Sequence, residues 1–230
     1  MELRVAALYD VHGNLPALEA VLADVEREHV DAVLFGGDLI WGAWPGECLE
    51  LALSLGGRAR FIRGNTDRSA LTTIDDESGI WTRERLSPEQ RELVLAWPET
   101  LVLDDVLYCH ATPRSDTEIV LPTSREERWA EVLDGVDRPV VVCGHTHLQY
   151  DEVHAGRRVV NPGSVGNPTE RATAWWALLG PDVQLRTSDY DTAAAAAAIR
   201  ASGFPRTDFA DEVDEPWSRE RVLAVLAERA

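Results

Sequence analysis

The chain has 230 residues, 45% of them apolar, which suits one large domain or one domain with a small appendage. Its net charge is −18 and all 22 basic residues are Arg, a balance that argues against a duplex-binding nuclease and against docking on anionic membranes, but not against a small phosphorylated substrate, because bound cations reverse the field locally. No apolar run approaches the ~20 residues of a membrane span. Met1 to Val5 leads straight into a strand-like run without the pattern of a signal peptide, and three cysteines (Cys48, Cys109, Cys143) do not make a disulfide framework. A cytoplasmic location with reduced, packed thiols is the expectation.

In chain order, Leu3 to Tyr9 reads as a buried strand ending at Asp10. Asn14 caps a helix with Pro16 in its first turn, and Leu15, Leu18, Val21, Leu22 and Val25 give it one apolar face. Ala32 to Phe35 is a second strand, stopped by Gly36-Gly37-Asp38; a helix follows from Glu47 to Leu55, and Arg60 to Ile62 is a third strand, stopped by Gly64-Asn65. This βαβαβ rhythm implies parallel strands with helical crossovers. Thr72 to Ser78 reads as loop and Pro88 to Trp97 as helix. Leu101 to Leu103 and Val106 to Tyr108 form a hairpin about Asp104-Asp105. Ser124 to Glu127 has the form of a capping box opening a helix through Trp129, Val132 and Leu133, and Pro139 to Cys143 is another buried strand.

Strands dominate the next part. Tyr150 to His154 pairs with Arg157 to Val160, the loop Asn161 to Gly166 follows, and Ala174 to Leu179 pairs with Val183 to Thr187 across Gly180-Pro181. Ala193 to Ala198 is a helix by composition. A polar segment from Gly203 to Pro216 links it to a last helix, Arg219 to Glu228. The region from about Thr192 contains no ligand-type cluster and is expected to pack without taking part in chemistry.

Each apolar strand of the first part ends in residues that can hold a metal: Asp10 and His12, Asp38, Asn65, His110, and His145 with His147. In open α/β sheets ligands bind outside the carboxyl ends of the strands, and carboxylate, imidazole and amide oxygen together suit transition ions. Singly, each motif is an ordinary turn composition. Together they take four of the six histidines, and each follows an apolar run.

The order Asp10-Val-His12-Gly13-Asn14, Gly37-Asp38, Gly64-Asn65-Thr66-Asp67, Gly144-His145-Thr146-His147, with Asn161-Pro-Gly-Ser-Val-Gly166, resembles the calcineurin-like metallophosphoesterase superfamily, in particular its small bacterial phosphoesterases. The resemblance covers roughly residues 3 to 190. It implies a four-layered αββα sandwich of two mixed sheets, with a metallophosphoesterase domain over residues 1–190 and a helical extension over residues 191–230 packed on it. It further implies two divalent transition ions, Mn foremost and Fe, Zn, Ni or Co as alternatives. One would be held by Asp10, His12, Asp38 and His147, the other by Asp38, Asn65, His110 and His145. Asp38 then bridges, and Asp38, Asn65 and His145 are expected in catalysis. The implied activity is hydrolysis of small phosphodiesters or phosphomonoesters by metal-activated hydroxide. A phosphoprotein phosphatase, or a non-catalytic protein-binding scaffold of the same fold, is the alternative. Asn14, Arg68 and Arg114, beside the ligand motifs, are candidates for the substrate phosphate. Trp41 and Trp44 either wall the pocket or pack. His29 and His154 match no motif. One departure stands out: where many members carry His after the metal-ligand Asn, this chain has Thr66, leaving the leaving-group acid unassigned.

Overall fold

The computed structural model describes residues 3–230. The chain runs β1 (Val5–Leu8), α1 (Leu15–Arg27), β2 (Ala32–Phe35), α2 (Pro45–Ser54), β3 (Ala59–Phe61), α3 (Asn65–Thr72), α4 (Glu77–Glu84), α5 (Pro88–Leu95), β4 (Thr100–Leu103) and β5 (Val106–Cys109). It continues α6 (Glu126–Val132), β6 (Val140–Val142), β7 (Tyr150–His154), β8 (Arg157–Asn161), β9 (Ala174–Leu179), β10 (Gln184–Ser188), α7 (Thr192–Ser202), α8 (Thr207–Asp214) and α9 (Arg219–Ala227).

Two five-stranded mixed sheets result, ordered β10-β9-β1-β2-β3 and β4-β5-β6-β8-β7. In the first, β1, β2 and β3 are parallel, β9 is antiparallel to β1 and β10 antiparallel to β9; in the second, β5, β6 and β8 are parallel, with β4 antiparallel to β5 and β7 antiparallel to β8. The period of two along β1 sorts its side chains. Val5, Ala7 and Tyr9 face the second sheet and pack with Tyr108, Val142 and Val160, whereas Ala6 and Leu8 face outward onto Leu18, Val21, Leu22 and Val25 of α1. On the far side Cys109, Val141 and Val159 pack against Trp129 and Val132 of α6, with Val222, Leu223 and Leu226 of α9 alongside. The layers are therefore helix, sheet, sheet, helix. A separate apolar cluster joins α7 and α8 to the loop after β2 through Ala43, Ala195, Ile199, Phe204, Phe209 and Val213. Among the described residues no helix is long and apolar enough to cross a membrane.

The structure departs from the sequence reading at three places. The stretch read as loop from Thr72 to Ser78 contains the start of α4, capped by Asp76, whose carboxylate accepts from the amides of Ser78 and Gly79. A side chain at Gly79 would stand 2.0 Å from the carbonyl oxygen of Ile74, so this glycine marks a close approach and not a helix break. The expected capping box at Ser124 does not form. Its hydroxyl accepts from Leu121 N at 3.0 Å in a local turn, and α6 starts two residues later without a side-chain cap. The polar link from Gly203 to Pro216 contains α8, whose Phe209, Ala210 and Val213 are buried although acidic residues surround them in sequence.

Candidate metal centre

Asp10 and His12 follow β1, Asp38 follows β2, Asn65 opens α3 after β3, His110 follows β5, and His145 and His147 follow β6. The ends of both sheets thus deliver all seven candidate ligands to one place. Asp10, His12, Asp38, His145 and His147 all have left-handed φ between 47° and 65°. Non-glycine residues rarely adopt that conformation, and it persists where surrounding structure over-determines it, often at functional sites. At Gly64 a side chain would meet Asp38 Oδ1 at 2.1 Å, so glycine is required for the β2 and β3 loops to touch.

Two groups of donors converge: Asp10 with His12 and His147, and Asp38 with His110 and His145, the donor atoms of each group lying within 4.8 Å of one another. His12 Nε2 and His147 Nε2 face each other at 3.1 Å. Asp38 Oδ2 lies 3.8 Å from His12 Nε2 and 3.5 Å from His110 Nε2, so one carboxylate oxygen addresses an imidazole of each group. Asp10 Oδ1 is buried without a hydrogen-bond partner, 3.5 Å from His147 Nε2. The outer atom of the Asn65 amide stands 2.9 Å from His110 Nε2 and 3.0 Å from His145 Nδ1. With its oxygen there, the amide joins the two ring nitrogens in a set of acceptors that a cation satisfies. Convergent lone pairs, an orphaned carboxylate oxygen and a mixed N/O donor set fit divalent transition ions at both groups.

The surroundings orient the ligands. His110 Nδ1 donates to the Gly36 carbonyl at 2.9 Å, which leaves Nε2 free toward Asp38. Asp10 Oδ2 accepts from His145 N at 3.0 Å, and Asp38 Oδ1 from Thr66 N at 2.8 Å. Asp67 does more. Its fully buried carboxylate accepts from the amides of Asp38, Leu39, Ile40 and Gly64 at 2.8 to 3.1 Å, pinning the Asp38 loop to the Asn65 loop. In sequence, Asp67 is only the last residue of the Gly64-Asn65-Thr66-Asp67 motif, and nothing there marks it as a clamp.

Burial alone would raise the Asp38 and Asp10 carboxyls. The His110 imidazole beside Asp38, and His147 beside Asp10, hold both below the usual carboxylate range. Burial would lower His110 and His147, but the two aspartates raise both, His110 to about 10. Burial dominates at His12, lowered to about 4, and at His145, also lowered. A cation taking the His110 and His147 nitrogens therefore displaces their protons, so metal affinity rises with pH. Burial and the nearby Asp38 charge push Asp67 up to about 6, against the pull of its amide donors. Because all its partners are donors, the anion is the form they accommodate at neutral pH.

The residues expected at the phosphate have other partners. Asn14 is fully buried; it caps α1 and donates to the Gly166 carbonyl and to Tyr190 Oη. Arg68, one turn after Asn65, is held by both oxygens of Asp116 at 2.7 and 2.9 Å. Arg114 is held by both oxygens of Glu118 at 2.9 and 2.7 Å. Trp41 both walls the site and packs: it stands edge-on to His12, ring centroids 5.8 Å apart, and meets Phe204 and Phe209. Trp44 packs against the core. His154 stacks on Trp129 and pairs with Glu126 and Glu152. The three cysteines are buried and free. From the region after Thr192, α8 packs beside the centre: the Phe209 ring lies 6.4 Å from that of His12. Nothing in the local sequence around Phe209 signals this, because the contact spans nearly the whole chain.

Comparison with known proteins agrees with this geometry. An archaeal protein of unassigned function, MJ0912 of Methanocaldococcus jannaschii, is 26% identical over 196 residues, covering 72% of this chain and 77% of its own. The crystal structure of a metallophosphoesterase from Sphaerobacter thermophilus superposes with a TM-score of 0.77 at 27% identity, over 93% of this chain and 98% of that one. The hypothetical protein PH1004 from Pyrococcus horikoshii shares the fold with a TM-score of 0.81 at 22% identity, over 93% and 98%. The calcineurin-like phosphoesterase superfamily profile matches residues 3–182, which include every candidate ligand described above. The chain therefore belongs to the calcineurin-like phosphoesterase superfamily and is a metal-dependent phosphoric ester hydrolase.

Proposed function

We propose that this protein hydrolyses small phosphodiesters or phosphomonoesters at a centre of two divalent ions bridged by Asp38. Asp10, His12, Asp38 and His147 would hold one ion, and Asp38, Asn65, His110 and His145 the other, with Mn the first choice and Fe, Zn, Ni or Co the alternatives, as the family resemblance implies. The observation that carries this reading is the placement of Asp38 Oδ2 between His12 and His110. When bound, such a pair supplies Lewis acidity and a hydroxide nucleophile near neutral pH.

The chain's own residues prepare the centre. His110 is oriented by the Gly36 carbonyl, and the Asp38 loop is fixed by Asp67. Trp41 and Phe209 shield the His12 side from bulk water. Thr66, which donates its backbone amide to Asp38, brings a buried hydroxyl without a partner where many relatives place an imidazole. A hydroxyl is a poor acid, so the leaving group must depart largely on its own merits. Of the three residues read as phosphate binders, Arg68 stays beside the candidate ligands: the backbone oxygen of its partner Asp116 lies 3.3 Å from the outer atom of the Asn65 amide. The net charge of −18 favours small substrates over long nucleic acids.

A panel of phosphomonoesters and phosphodiesters, assayed with Mn, Fe, Zn, Ni and Co in turn, tests the reading. Wild type should turn over at least one ester class, and Asp38→Asn, which removes the shared charge at little cost in volume, should lose roughly 10³-fold or more in kcat/KM while keeping its far-UV spectrum. Full activity in folded Asp38→Asn would refute the bridge.

A further inference from the structure

A cavity of about 370 Å³ opens directly beside the metal centre, and the C-terminal segment from Arg206 onward, with α8 and α9, builds most of its wall. His145 and His147 form one edge. Asn167 and Thr169, in the loop before β9, form the next, and Asn167 donates to Glu212 of α8 at 3.2 Å, tying that loop to the helix. The opposite wall is α9, anchored where Arg219 meets the Gln149 carbonyl at 3.2 Å and Glu170 at 3.0 Å.

The lining has two halves. Arg206 and Arg229 stand with Asp208 and Glu212, and Arg206 already donates from Nε and Nη2 to the two oxygens of Asp208 at 2.9 and 2.6 Å. Away from the metal centre, two cations stand against two anions, so this part of the lining adds no net positive charge to hold a polyphosphate tail. The other half, Trp217, Val222, Val225 and Leu226, is apolar. Cavities of this size and make-up take compact organic groups, with affinity coming chiefly from the apolar wall.

Resting on the phosphate-ester reading above, we infer that this cavity receives an uncharged, ring-sized organic group of the substrate while its phosphate sits at the metal centre. Val225 and its neighbours on α9 are then specificity-determining residues, and the substrates are small organic phosphate esters carrying such a group, as opposed to polyphosphates.

Val225 is the residue to change, since it lines the cavity but does not belong to the apolar cluster that α9 makes with the second sheet. The experiment measures calorimetric binding of phenylphosphonate and methylphosphonate to Mn-loaded wild type and to Val225→Trp, which fills the cavity. Both ligands present the same anion, and neither requires turnover. Wild type should bind the phenyl compound roughly tenfold or more tightly, a ratio that partial burial of one ring supports, and the variant should bring the ratio near one while leaving methylphosphonate affinity within about twofold. Should Val225→Trp fold poorly, Val225→Glu, which places a charge against the ring, must abolish the preference in the same way. Equal affinities in wild type, or a preference that survives both variants, would overturn the inference. A preference lost in the variants, in a protein that hydrolyses no ester of the panel, would uphold the cavity and refute the hydrolytic reading instead.

Discussion

The loops at the strand ends and the helices at the C-terminus meet around one centre, and they are built on different terms. The loops bury Asp10, His12, Asp38 and His110 almost completely and hold strained backbone in place with Asp67 and with glycines that touch other backbone. Helix α9, by contrast, has no fully buried residue, and Arg206 and Asp208 of the α8 region are about half exposed. Ligand geometry tolerates little displacement, so the chain over-determines it. A wall that only selects the organic part of a substrate can be supported more loosely. Change in the loops should therefore cost chemistry, and change in the helices should cost selectivity.

The largest effect that sharpens this contrast concerns Thr66, which lies on the chemical side. Without an imidazole there, aryl esters should be hydrolysed much faster than alkyl esters, because general acid catalysis worth ~10²–10⁴-fold is missing. Thr66→His should help alkyl esters more than aryl ones. A series of phosphodiesters with leaving groups of graded pKa, read as kcat/KM, checks this; a flat dependence in wild type would mean that another group already supplies the proton.

Next in size is Asp67. In Asp67→Asn an amide nitrogen must face amide donors, so the Asp38 and Asn65 loops should loosen. Metal affinity should fall by roughly 10–100-fold, as for other residues that orient ligands, with a lowered melting temperature. Titration with Mn under calorimetry measures the first. Unchanged affinity in a folded variant would show that the loops hold themselves.

The smallest effect lies just beyond the ligands, in the loop after His110. There Arg114, with Thr112 and Arg128, holds the Glu118 carboxyl down at about 2. A depressed carboxyl stabilises the fold fully above its unfolded value near 4.5, and that stability drains away as pH falls from there toward 2. Because both arginines are more than a third exposed, roughly 1 kcal/mol is the reasonable scale. The melting-temperature gap between wild type and Glu118→Gln should thus be open at pH 7 and shrink by pH 3. Arg114→Ala should follow the same curve with little change in KM; a large rise in KM would return Arg114 to the phosphate.

These residues also show what a sequence can carry. The convergence of the candidate ligands was legible because each follows an apolar run and a chain turn, so residue type, position at a strand end and order along the chain all agree. The pairs on either side of Asp104-Asp105, Ala155-Gly156 and Gly180-Pro181 were legible from the same alternation. Three of the four amides that Asp67 accepts from were not, since they lie 27 to 29 residues away and are recognised only once β2 and β3 lie side by side. Nor was α8, whose three apolar residues are too few to outweigh its acids until Trp41 and Ala43 cover them. Arg68 and Arg114 looked available for phosphate because the carboxylates that hold them, Asp116 and Glu118, belong to an irregular loop whose path follows no period.

Metal stoichiometry decides whether Asp38 bridges a pair of ions. Protein stripped of metal, reloaded with Mn and freed of excess should contain about two ions per chain by elemental analysis, as expected of a two-metal hydrolase. Loading that saturates at one ion, with Asp38→Asn binding as tightly as wild type, would contradict the account.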